Sequence, residues 1–246
     1  MLKTYREEYR VLTRDCDMSG TLRPGALLEY MQETSGTHSE LLGVGRKALS
    51  QQGIAWVVTR MEVQLNRTIR VEENISVETY PLPIRRWFFP RYFFFRDEQE
   101  QVIGEAASLW VLLDLTTRRM ARPELVERLL PDNSDLPAPL GLPAPVTEIS
   151  GTVEVSEFEP VYTDLDPNWH VNNCRYLDWC CNALGVDLMN QYELGHFMVN
   201  YDQEIRPGQS VRTELRRLGM DFSFTGFSGG QRHFDVGGQL RERKKA

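Results

Sequence analysis

A short polar stretch in the C-terminal half carries three side chains that can do acid–base chemistry. Asp166, Asn168 and His170 follow one another at two-residue spacing. A helical repeat of apolar residues begins directly afterwards, and Asn172 or Asn173 is expected to be its N-cap. Because backbone N–H groups are unpaired at a helix N-terminus, this arrangement suits acyl transfer, which needs a base and donors to an oxyanion. The same residue types are common in polar turns that only cap a helix, so the pattern alone leaves both interpretations open.

The composition is that of an ordinary globular protein, and it excludes several classes of function. The chain has 246 residues, 41% hydrophobic and 26% charged, which suits one large domain or two modest ones. Its net charge of -7 argues against nucleic acid as the partner. The charged first residues do not resemble a signal peptide, and no apolar run approaches the ~20 residues of a membrane-spanning helix. We therefore expect no membrane insertion.

The four cysteines show no pattern typical of a disulfide framework or a metal site. None lies in a C-x-x-C pair, and the neighbours Cys180 and Cys181 suit neither a disulfide nor tetrahedral metal coordination. Small apolar fillers carrying free thiols are the simplest interpretation. Such thiols are typical of a reducing compartment, so a cytoplasmic location is expected.

Hydrophobic periodicity divides the chain into two halves around a proline-rich break. In the first half a helical pattern runs from Leu27 to Leu42, with Pro24 in a position that a first helical turn tolerates. Strand-like runs rich in β-branched and aromatic residues surround this helix, at 5–13, 55–65, 74–80, 87–96 and 102–115. The prolines between Pro131 and Pro145 rule out a helix or strand there. Further strands are predicted at 197–201, 210–217, 222–227 and 233–239.

The second half repeats the first at an offset of 149 positions (166 minus 17). The offset pairs Asp17 with Asp166, Ser19 with Asn168, and Thr21 with His170. Apolar positions of the following helix coincide as well, so a strand–helix–sheet unit occurs twice. Only the second copy has the carboxamide and the imidazole. The chemistry is therefore predicted in the C-terminal half.

These motifs resemble those of the plant and bacterial acyl-ACP thioesterases, and the resemblance covers nearly the whole chain. Residues 166–176, D-P-N-W-H-V-N-N-C-R-Y, are similar to the family's D-x-N-x-H-V-N-N-x-K/R-Y signature. Residues 107–119 resemble its tryptophan strand ending in T-R-R, and residues 30–34 a motif of its first helix. The resemblance implies an α+β fold of two tandem hot-dog domains, each a long helix wrapped by an antiparallel sheet. The implied parts are an N-terminal domain at 1–130 for the acyl chain, a linker at 131–147, and a catalytic C-terminal domain at 148–246.

The resemblance also implies an activity, the hydrolysis of fatty acyl-ACP to free fatty acid and holo-ACP. It assigns catalytic roles to Asp166, Asn168, His170 and Glu204. The two carboxylates are expected to position and deprotonate water, while Asn168 and His170 orient it or donate to the developing charge. Backbone N–H groups at 171–173 are the expected oxyanion site. A covalent anhydride on Asp166 is an open variant.

A cysteine nucleophile and a metal site are both disfavoured. Plant members of the family often have a cysteine directly after the catalytic glutamate, but Ile205 stands there in this chain. Asp164 together with Asp166, His170 and Glu204 has the residue types of a metal site, but no other feature supports one. We therefore expect neither a metal nor a cofactor.

The acyl chain and its carrier need binding surfaces of their own. An apolar slot in the N-terminal half is predicted for the chain, although every residue proposed for it also fits an ordinary core position: Leu27, Met31, Trp56, Val58 and Trp110. The acyl carrier protein and its phosphopantetheine arm are polyanionic, so cationic side chains are expected at the entrance, with Arg175, Arg206, Arg216 and Arg217 as candidates. Because tandem copies can pair within one chain, a monomer is feasible, and so is a homodimer.

Three alternative functions stay open at this point. They are an acyl-CoA thioesterase, a tandem hot-dog enoyl hydratase and a non-catalytic module that binds an acyl carrier. The hydratase pattern is D-x-N-P-x-H, whereas the proline here is Pro167, before Asn168, and Glu204 is an additional carboxylate. A binding module has no need of all four predicted catalytic residues. Hydrolysis of acyl-ACP is therefore the preferred interpretation.

Overall fold

The computed structural model describes residues 1–243, which cluster into two compact units. The N-terminal unit consists of Met1–Val11, Glu29–Asn66 and Glu72–Pro143. The C-terminal unit consists of Leu12–Leu28, Arg67–Val71 and the chain from Ala144 onwards. Both units are discontinuous in sequence, because the first copy of the repeated polar loop clusters with the C-terminal unit.

In the N-terminal unit, five strands form an antiparallel sheet. They are β1 (Tyr5–Arg10), β2 (Ile54–Leu65), β3 (Asn74–Pro81), β4 (Phe89–Asp97) and β5 (Val102–Asp114). Their pairing gives the order β1-β3-β4-β5-β2. The predicted strands lie within a few residues of these, because β-branched and aromatic side chains pack well on a pleated surface. β5 is paired on both sides, as predicted for a central strand.

The main helix, α1, changes from an apolar to a polar buried face along its length. Helix α1 spans Pro24–Leu41. Two short helices follow it, α2 (Arg46–Ser50) and α3 (Glu124–Glu127). Leu27 and Met31 are buried near its start, and His38 is fully buried near its end. The Nδ1 atom of His38 lies 3.1 Å from Nη1 of Arg91, and burial together with this cation lowers the pKa of the imidazole to about 4. His38 is therefore a neutral acceptor that supports the core.

In the described part of the C-terminal unit, five further strands form an antiparallel sheet. They are β6 (Thr152–Phe158), β7 (Tyr192–Tyr201), β8 (Val211–Leu218), β9 (Asp221–Ser228) and β10 (Gln231–Glu242), in the order β7-β10-β9-β8-β6. Helices α4 (Arg175–Leu184) and α5 (Val186–Gln191) are separated by Gly185, whose φ is +86°. Tyr176 of α4 stacks on Phe234 of β10 at 4.3 Å between ring centroids. This aromatic contact joins the start of α4 to the sheet.

Two parts of the C-terminal unit differ from the prediction. β6 was not predicted at all, and it lies at the edge of the sheet with Val153 and Val155 exposed, so no buried stripe marks it. β7 begins at Tyr192, five positions before the predicted start at Phe197 (197 minus 192). Its first residues follow α5 directly, without the glycine or proline that usually marks the start of a strand.

The proline-rich segment 131–147 contains neither helix nor strand, but it is held by specific contacts. Asn133 is fully buried, and its Nδ2 donates to the carbonyl oxygens of Lys3 and Pro81 at 2.9 and 2.8 Å. The hydroxyl of Tyr92 donates to the carbonyl oxygen of Gly141 at 2.6 Å. The segment is thus attached in two ways: the amide of Asn133 donates to backbone oxygens outside it, and a phenol donates to a backbone oxygen within it.

The repeated polar loop begins each time after a single 3-10 turn, at Thr13–Asp15 and at Tyr162–Asp164. In the first copy, Oδ1 of Asp17 accepts the backbone N–H groups of Ser19 at 2.9 Å and Thr21 at 3.2 Å. The backbone of Asp17 and Thr21 closes the loop with a further bond of 2.8 Å. The N–H of Leu22 then donates to the carbonyl oxygen of Ile69 at 2.9 Å. A carboxylate and one backbone bond therefore define the loop.

The second copy reproduces this geometry. Oδ1 of Asp166 accepts the N–H groups of Asn168 at 2.8 Å and His170 at 3.2 Å, and the Asp166 N–H donates to the His170 carbonyl oxygen at 2.8 Å. The N–H of Val171 donates to the carbonyl oxygen of Ile205 at 2.9 Å. The repeat at an offset of 149, which was deduced from spacing, is therefore also a repeat of hydrogen bonds.

At one position both copies have the same left-handed backbone, but the residue differs, and this strains the second loop. Gly20 of the first copy and Trp169 of the second both have left-handed φ angles, +69° and +61°. Glycine adopts this conformation freely, whereas a bulky L-residue there is unusual and costs about 1–2 kcal/mol. The Trp169 side chain is 73% exposed, so burial of the indole gives little in return.

Replacing Trp169 by glycine is expected to stabilise the protein. Relief of the left-handed strain outweighs the larger entropy of glycine in the unfolded chain, and we expect the free energy of unfolding to rise by roughly 1 kcal/mol. Urea denaturation checks this value. Trp169→Ala is the control, because it removes the indole but keeps a Cβ at φ +61°. An equal gain in both variants would show that the indole, and not the backbone, is the source of the strain.

Candidate active site

Asp164 is a structural residue and does not belong to the reactive group. It is buried, with Oδ2 accepting the N–H of Val161 at 2.8 Å and Oδ1 accepting Nε1–H of Trp179 at 3.3 Å. Both carboxylate oxygens therefore serve to hold the 3-10 turn against α4. No group of three or more His, Cys, Asp or Glu side chains within residues 1–243 is arranged to hold a metal ion.

The carboxylate of Asp166 is oriented by its own loop. Oδ1 accepts the two backbone N–H groups of the loop, while Oδ2 accepts only the side-chain Nδ2–H of Asn168, at 3.1 Å. The side chains of Asp166 and Asn168 are thus locked to each other. Because Oδ1 is occupied in the same way in the first copy, where Asp17 stands, that oxygen has an architectural task. Oδ2 is the oxygen that is open to chemistry.

The structure brings Glu204 to His170. Nε2 of His170 lies 3.4 Å from Oε2 of Glu204, although the two residues come from separate segments of the chain. Their side chains are 24% and 29% exposed, so the pair is open to a substrate while partly shielded from water. The Val171–Ile205 backbone bond causes this approach, because it pairs the residues that follow His170 and Glu204. All four predicted catalytic residues therefore lie within one connected set of contacts.

The first copy shows what the same frame looks like without these groups. The bond from Leu22 to Ile69 corresponds to that from Val171 to Ile205, so Thr68 occupies the place of Glu204. Oγ1 of Thr68 donates to a carboxylate of the C-terminal unit, Glu193, at 2.8 Å. The first copy retains the loop but carries no imidazole and no second carboxylate.

The start of α4 differs from the prediction in two respects. The helix begins at Arg175, so Asn172 and Asn173 are not its N-cap; Asn172 instead accepts the N–H of Cys174 on Oδ1 at 3.0 Å. Two of the three expected oxyanion donors are also occupied. The N–H of Val171 bonds to Ile205, and that of Asn172 bonds to the carbonyl oxygen of Asp164 at 2.8 Å.

Three residues near the site were not predicted as part of it. Tyr176 is buried beside the two carboxylates, and its burial, followed by the charges of Asp166 and Glu204, raises the pKa of the phenol. Nδ1 of His233 lies 3.1 Å from the carbonyl oxygen of Glu204. Nη2 of Arg206 donates to Oε1 of Glu204 at 2.5 Å. The two-residue spacing of Glu204 and Arg206 on an extended segment was the available signal, but the arginine was interpreted only as a possible carrier contact.

The cysteines near the site are unsuited to act as nucleophiles. All four are free thiols. Burial raises the pKa of Cys180 far above its usual range and that of Cys181 to about 12, so neither is a thiolate near neutral pH. Ile205, at the position of the cysteine found in many plant proteins of the family, is fully buried and cannot react.

The residues predicted to line an acyl slot occupy well-packed positions. Leu27, Met31 and Val58 are buried. Trp56 and Trp110 are partly buried and pack against an apolar cluster of the N-terminal unit: Leu42, Val44, Leu49, Ile54, Phe89, Leu112 and Val126. Their contact with an acyl chain stays a prediction.

Two of the other predicted arginines pair with carboxylates. Arg175 donates to Asp178 at 2.7 Å, and Arg216 pairs with Glu214 at 2.7 Å and Glu148 at 3.2 Å. Arg217, on the edge-paired strand β8, is exposed. The guanidinium of Arg206 contacts the predicted catalytic side chain of Glu204.

Two family models match successive parts of this chain. The model of the acyl-ACP thioesterase N-terminal domain matches residues 2–128, and that of the C-terminal domain matches residues 148–234. Among curated proteins, the chloroplastic palmitoyl-acyl carrier protein thioesterase of Gossypium hirsutum is 25% identical over 213 residues, 81% of this chain and 52% of the relative. The chloroplastic oleoyl-acyl carrier protein thioesterase of Coriandrum sativum is 23% identical over 224 residues, 82% and 59%. The chain spans little more than half the length of these relatives.

Solved structures agree with the family models on the fold. A protein of Lactobacillus plantarum, provisionally named an oleoyl thioesterase, superposes with a TM-score of 0.85 and 26% identity, over 98% of this chain and 96% of its own. An acyl-ACP thioesterase of Bacteroides thetaiotaomicron gives 0.86 at 22% identity, over 97% and 98%. No helix of residues 1–243 is both long and apolar enough to cross a membrane. Because the models of both domains match, the chain belongs to the acyl-ACP thioesterase family and has its hot-dog fold.

Proposed function

We propose that this chain hydrolyses the thioester of a fatty acyl-ACP, releasing a free fatty acid and holo-ACP. The observation that supports this most directly is the 3.4 Å contact between His170 and Glu204, beside Asp166 and Asn168. It joins two carboxylates, an imidazole and a carboxamide in the C-terminal unit, while the first copy keeps only the loop. Family membership and the thioesterase names of the relatives support the same activity.

In the proposed reaction, water attacks the acyl carbon and the bond from carbon to sulfur breaks. Oδ2 of Asp166 or a carboxylate oxygen of Glu204 takes the proton of the water and later passes it to the departing thiolate. An ionised Glu204 favours the tautomer in which Nε2 of His170 carries hydrogen, so the imidazole is held in one orientation. The Nδ1 lone pair of His170 is then available to orient water.

The developing oxyanion requires donors that the loop does not already use. The backbone N–H groups of Val171 and Asn172 are already bonded. The backbone N–H of Asn173, just before α4, is left for this task. The positive end of the α4 dipole lies at the same place and favours negative charge. We therefore assign the oxyanion donor to Asn173 rather than to the whole stretch 171–173.

The remaining parts of the proposal concern the substrate and its surroundings. We assign the acyl chain to the N-terminal half, through Leu27, Met31, Trp56, Val58 and Trp110, because these apolar side chains lie on α1 and on the paired strands β2 and β5. The carrier is acyl carrier protein, in keeping with the family. The free cysteines agree with a reducing compartment, and we propose the cytoplasm, although the curated plant relatives are chloroplastic.

Removing either carboxylate charge is expected to abolish most of the activity. Asp166→Asn and Glu204→Gln should each lower kcat/KM for acyl-ACP by about 10²- to 10⁴-fold, since a general base usually contributes that much. Thiol release measured with a thiol reagent gives the rate. Asp17→Asn is the control for Asp166, because Asp17 accepts the same loop hydrogen bonds, although this variant also loses the ion pair of Asp17 with Arg243. Glu214→Gln is the control for Glu204, because Glu214 also pairs with an arginine two positions away. Near wild-type rates in both site variants would refute the mechanism.

Isotope labelling separates the two chemical variants of the reaction. Direct attack of water puts ¹⁸O from H₂¹⁸O into the fatty acid in a single turnover and leaves Asp166 unlabelled. In the anhydride variant, Oδ2 of Asp166 attacks the acyl carbon and the bond from carbon to sulfur breaks, releasing the thiolate. Water then attacks Cγ of Asp166 and cleaves the mixed anhydride, so that ¹⁸O enters the aspartate. We expect direct attack, because Glu204, which lies 3.4 Å from His170, is a second carboxylate that can deprotonate the water. Mass spectrometry of the peptide that contains Asp166 after many turnovers makes the distinction, and label in that peptide would establish the anhydride.

Incubation with a 2-enoyl-CoA tests the hydratase alternative. The proposed function predicts thiol release and no accumulation of a hydrated thioester. Hydration without thiol release would assign the site to the hydratases instead. A series of acyl-ACP and acyl-CoA substrates of equal chain length then shows which carrier is preferred.

A further inference from the structure

The second oxygen of Glu204 has a partner of its own. Nη2 of Arg206 lies 2.5 Å from Oε1, while Oε2 faces Nε2 of His170 at 3.4 Å. The carboxylate is therefore held between a guanidinium and an imidazole. A carboxylate on an extended segment has free rotation about its side-chain bonds, so a fixed orientation toward His170 needs a second contact of this kind.

The backbone presents Arg206 rigidly. Residues Arg206 to Gln209 form a tight turn, with the N–H of Gln209 donating to the carbonyl oxygen of Arg206 at 3.2 Å. Pro207 and Gly208, the latter with φ +80°, are the residues that a type II turn requires at its two central positions. Oε1 of Gln209 also accepts the N–H of Arg206 at 2.6 Å. On the other side, the buried Ile205 fixes the chain through its bond from Val171.

Arg206 contacts the carboxylate of Glu204, and groups from three other elements lie around it. His170 approaches from the loop. On α4, burial raises the pKa of the Tyr176 phenol, and the charges of Glu204 and Asp166 add to this. His233 of β10 contacts the backbone oxygen of Glu204 rather than its carboxylate. The guanidinium side chain is 59% exposed, so its contribution is moderated by solvent.

We propose that Arg206 is a positioning residue of the hydrolytic site, which holds Oε1 of Glu204 so that Oε2 faces His170. This inference rests on the proposed function. It goes beyond the four residues that the family signature implies, and it differs from a role of Arg206 in binding the carrier. A positioning residue affects kcat and its dependence on pH with any acyl donor, whereas a carrier contact affects KM for acyl-ACP alone.

The test uses Arg206→Met and Arg206→Lys in the full chain. We expect Arg206→Met to lower kcat by about 10- to 100-fold with both acyl-ACP and acyl-pantetheine, because small displacements of a reacting group have effects of this size. Because a neighbouring positive charge favours an ionised carboxylate, loss of the guanidinium is expected to move the acidic limb of the kcat/KM profile to higher pH. Arg206→Lys retains the charge and should restore the position of that limb.

Two controls make the result specific. Arg212→Met removes an arginine that pairs with Glu214 at 2.6 Å with the same two-residue spacing, and it should change neither kcat nor the pH profile. In a Glu204→Gln background, Arg206→Met should have almost no further effect on kcat, because the two residues act as one unit. Circular dichroism and a urea titration confirm that the variants fold.

The outcomes distinguish this inference from the proposed function. If the wild-type chain releases thiol but Arg206→Met leaves kcat and the acidic limb unchanged, Arg206 is not a positioning residue. A higher KM for acyl-ACP with unchanged kcat would assign the arginine to the carrier instead and overturn the inference. If the wild-type chain releases no thiol from any acyl donor, the proposed function itself fails.

Discussion

The backbone hydrogen bond from Val171 to Ile205 is the constraint on which the proposed site depends. It has a length of 2.9 Å, and it joins the polar loop to the segment that follows β7. Such a bond adds only about 1 kcal/mol to stability. Its importance is geometric, because the residues just before its two ends are His170 and Glu204. With Ile205 fully buried beneath it, the segment has little freedom to slide.

Around this constraint, both predicted catalytic carboxylates are held by neighbouring groups. Oδ1 of Asp166 accepts the two backbone N–H groups of its loop, and Oδ2 accepts the side-chain N–H of Asn168. Glu204 is held between Arg206 and His170. Such preorganisation matters for catalysis because groups that are already oriented do not lose entropy when the reaction occurs. The left-handed Trp169, between Asn168 and His170, shows that the loop tolerates local strain to keep this arrangement.

The duplicated loop separates architecture from chemistry within a single molecule. Asp17 makes the same pair of backbone hydrogen bonds as Asp166, and Leu22 makes the same bond as Val171. Yet the first copy has Ser19, Thr21 and Thr68 where the second has Asn168, His170 and Glu204. The aspartate alone therefore specifies a loop, and in the proposed function the added carboxamide, imidazole and second carboxylate supply the reactive groups. This is why the presence of an aspartate in such a loop is weak evidence for catalysis by itself.

The sequence alone determined the features that local spacing controls. Periodicity located α1 and most strands, and the offset of 149 revealed the repeat and placed the reactive group in its second copy. Glu204 could be linked to that group only through family resemblance, since no spacing rule connects it to His170.

The tertiary structure decided the rest. Asp164 is a structural anchor, the N–H groups of Val171 and Asn172 are already bonded, and Arg206 contacts Glu204. The edge strand β6 also escaped prediction, because exposed valines leave no buried stripe in the sequence. The physical reason is common to these cases: a hydrogen bond between distant segments depends on how the chain folds back on itself, which residue order along one segment does not encode.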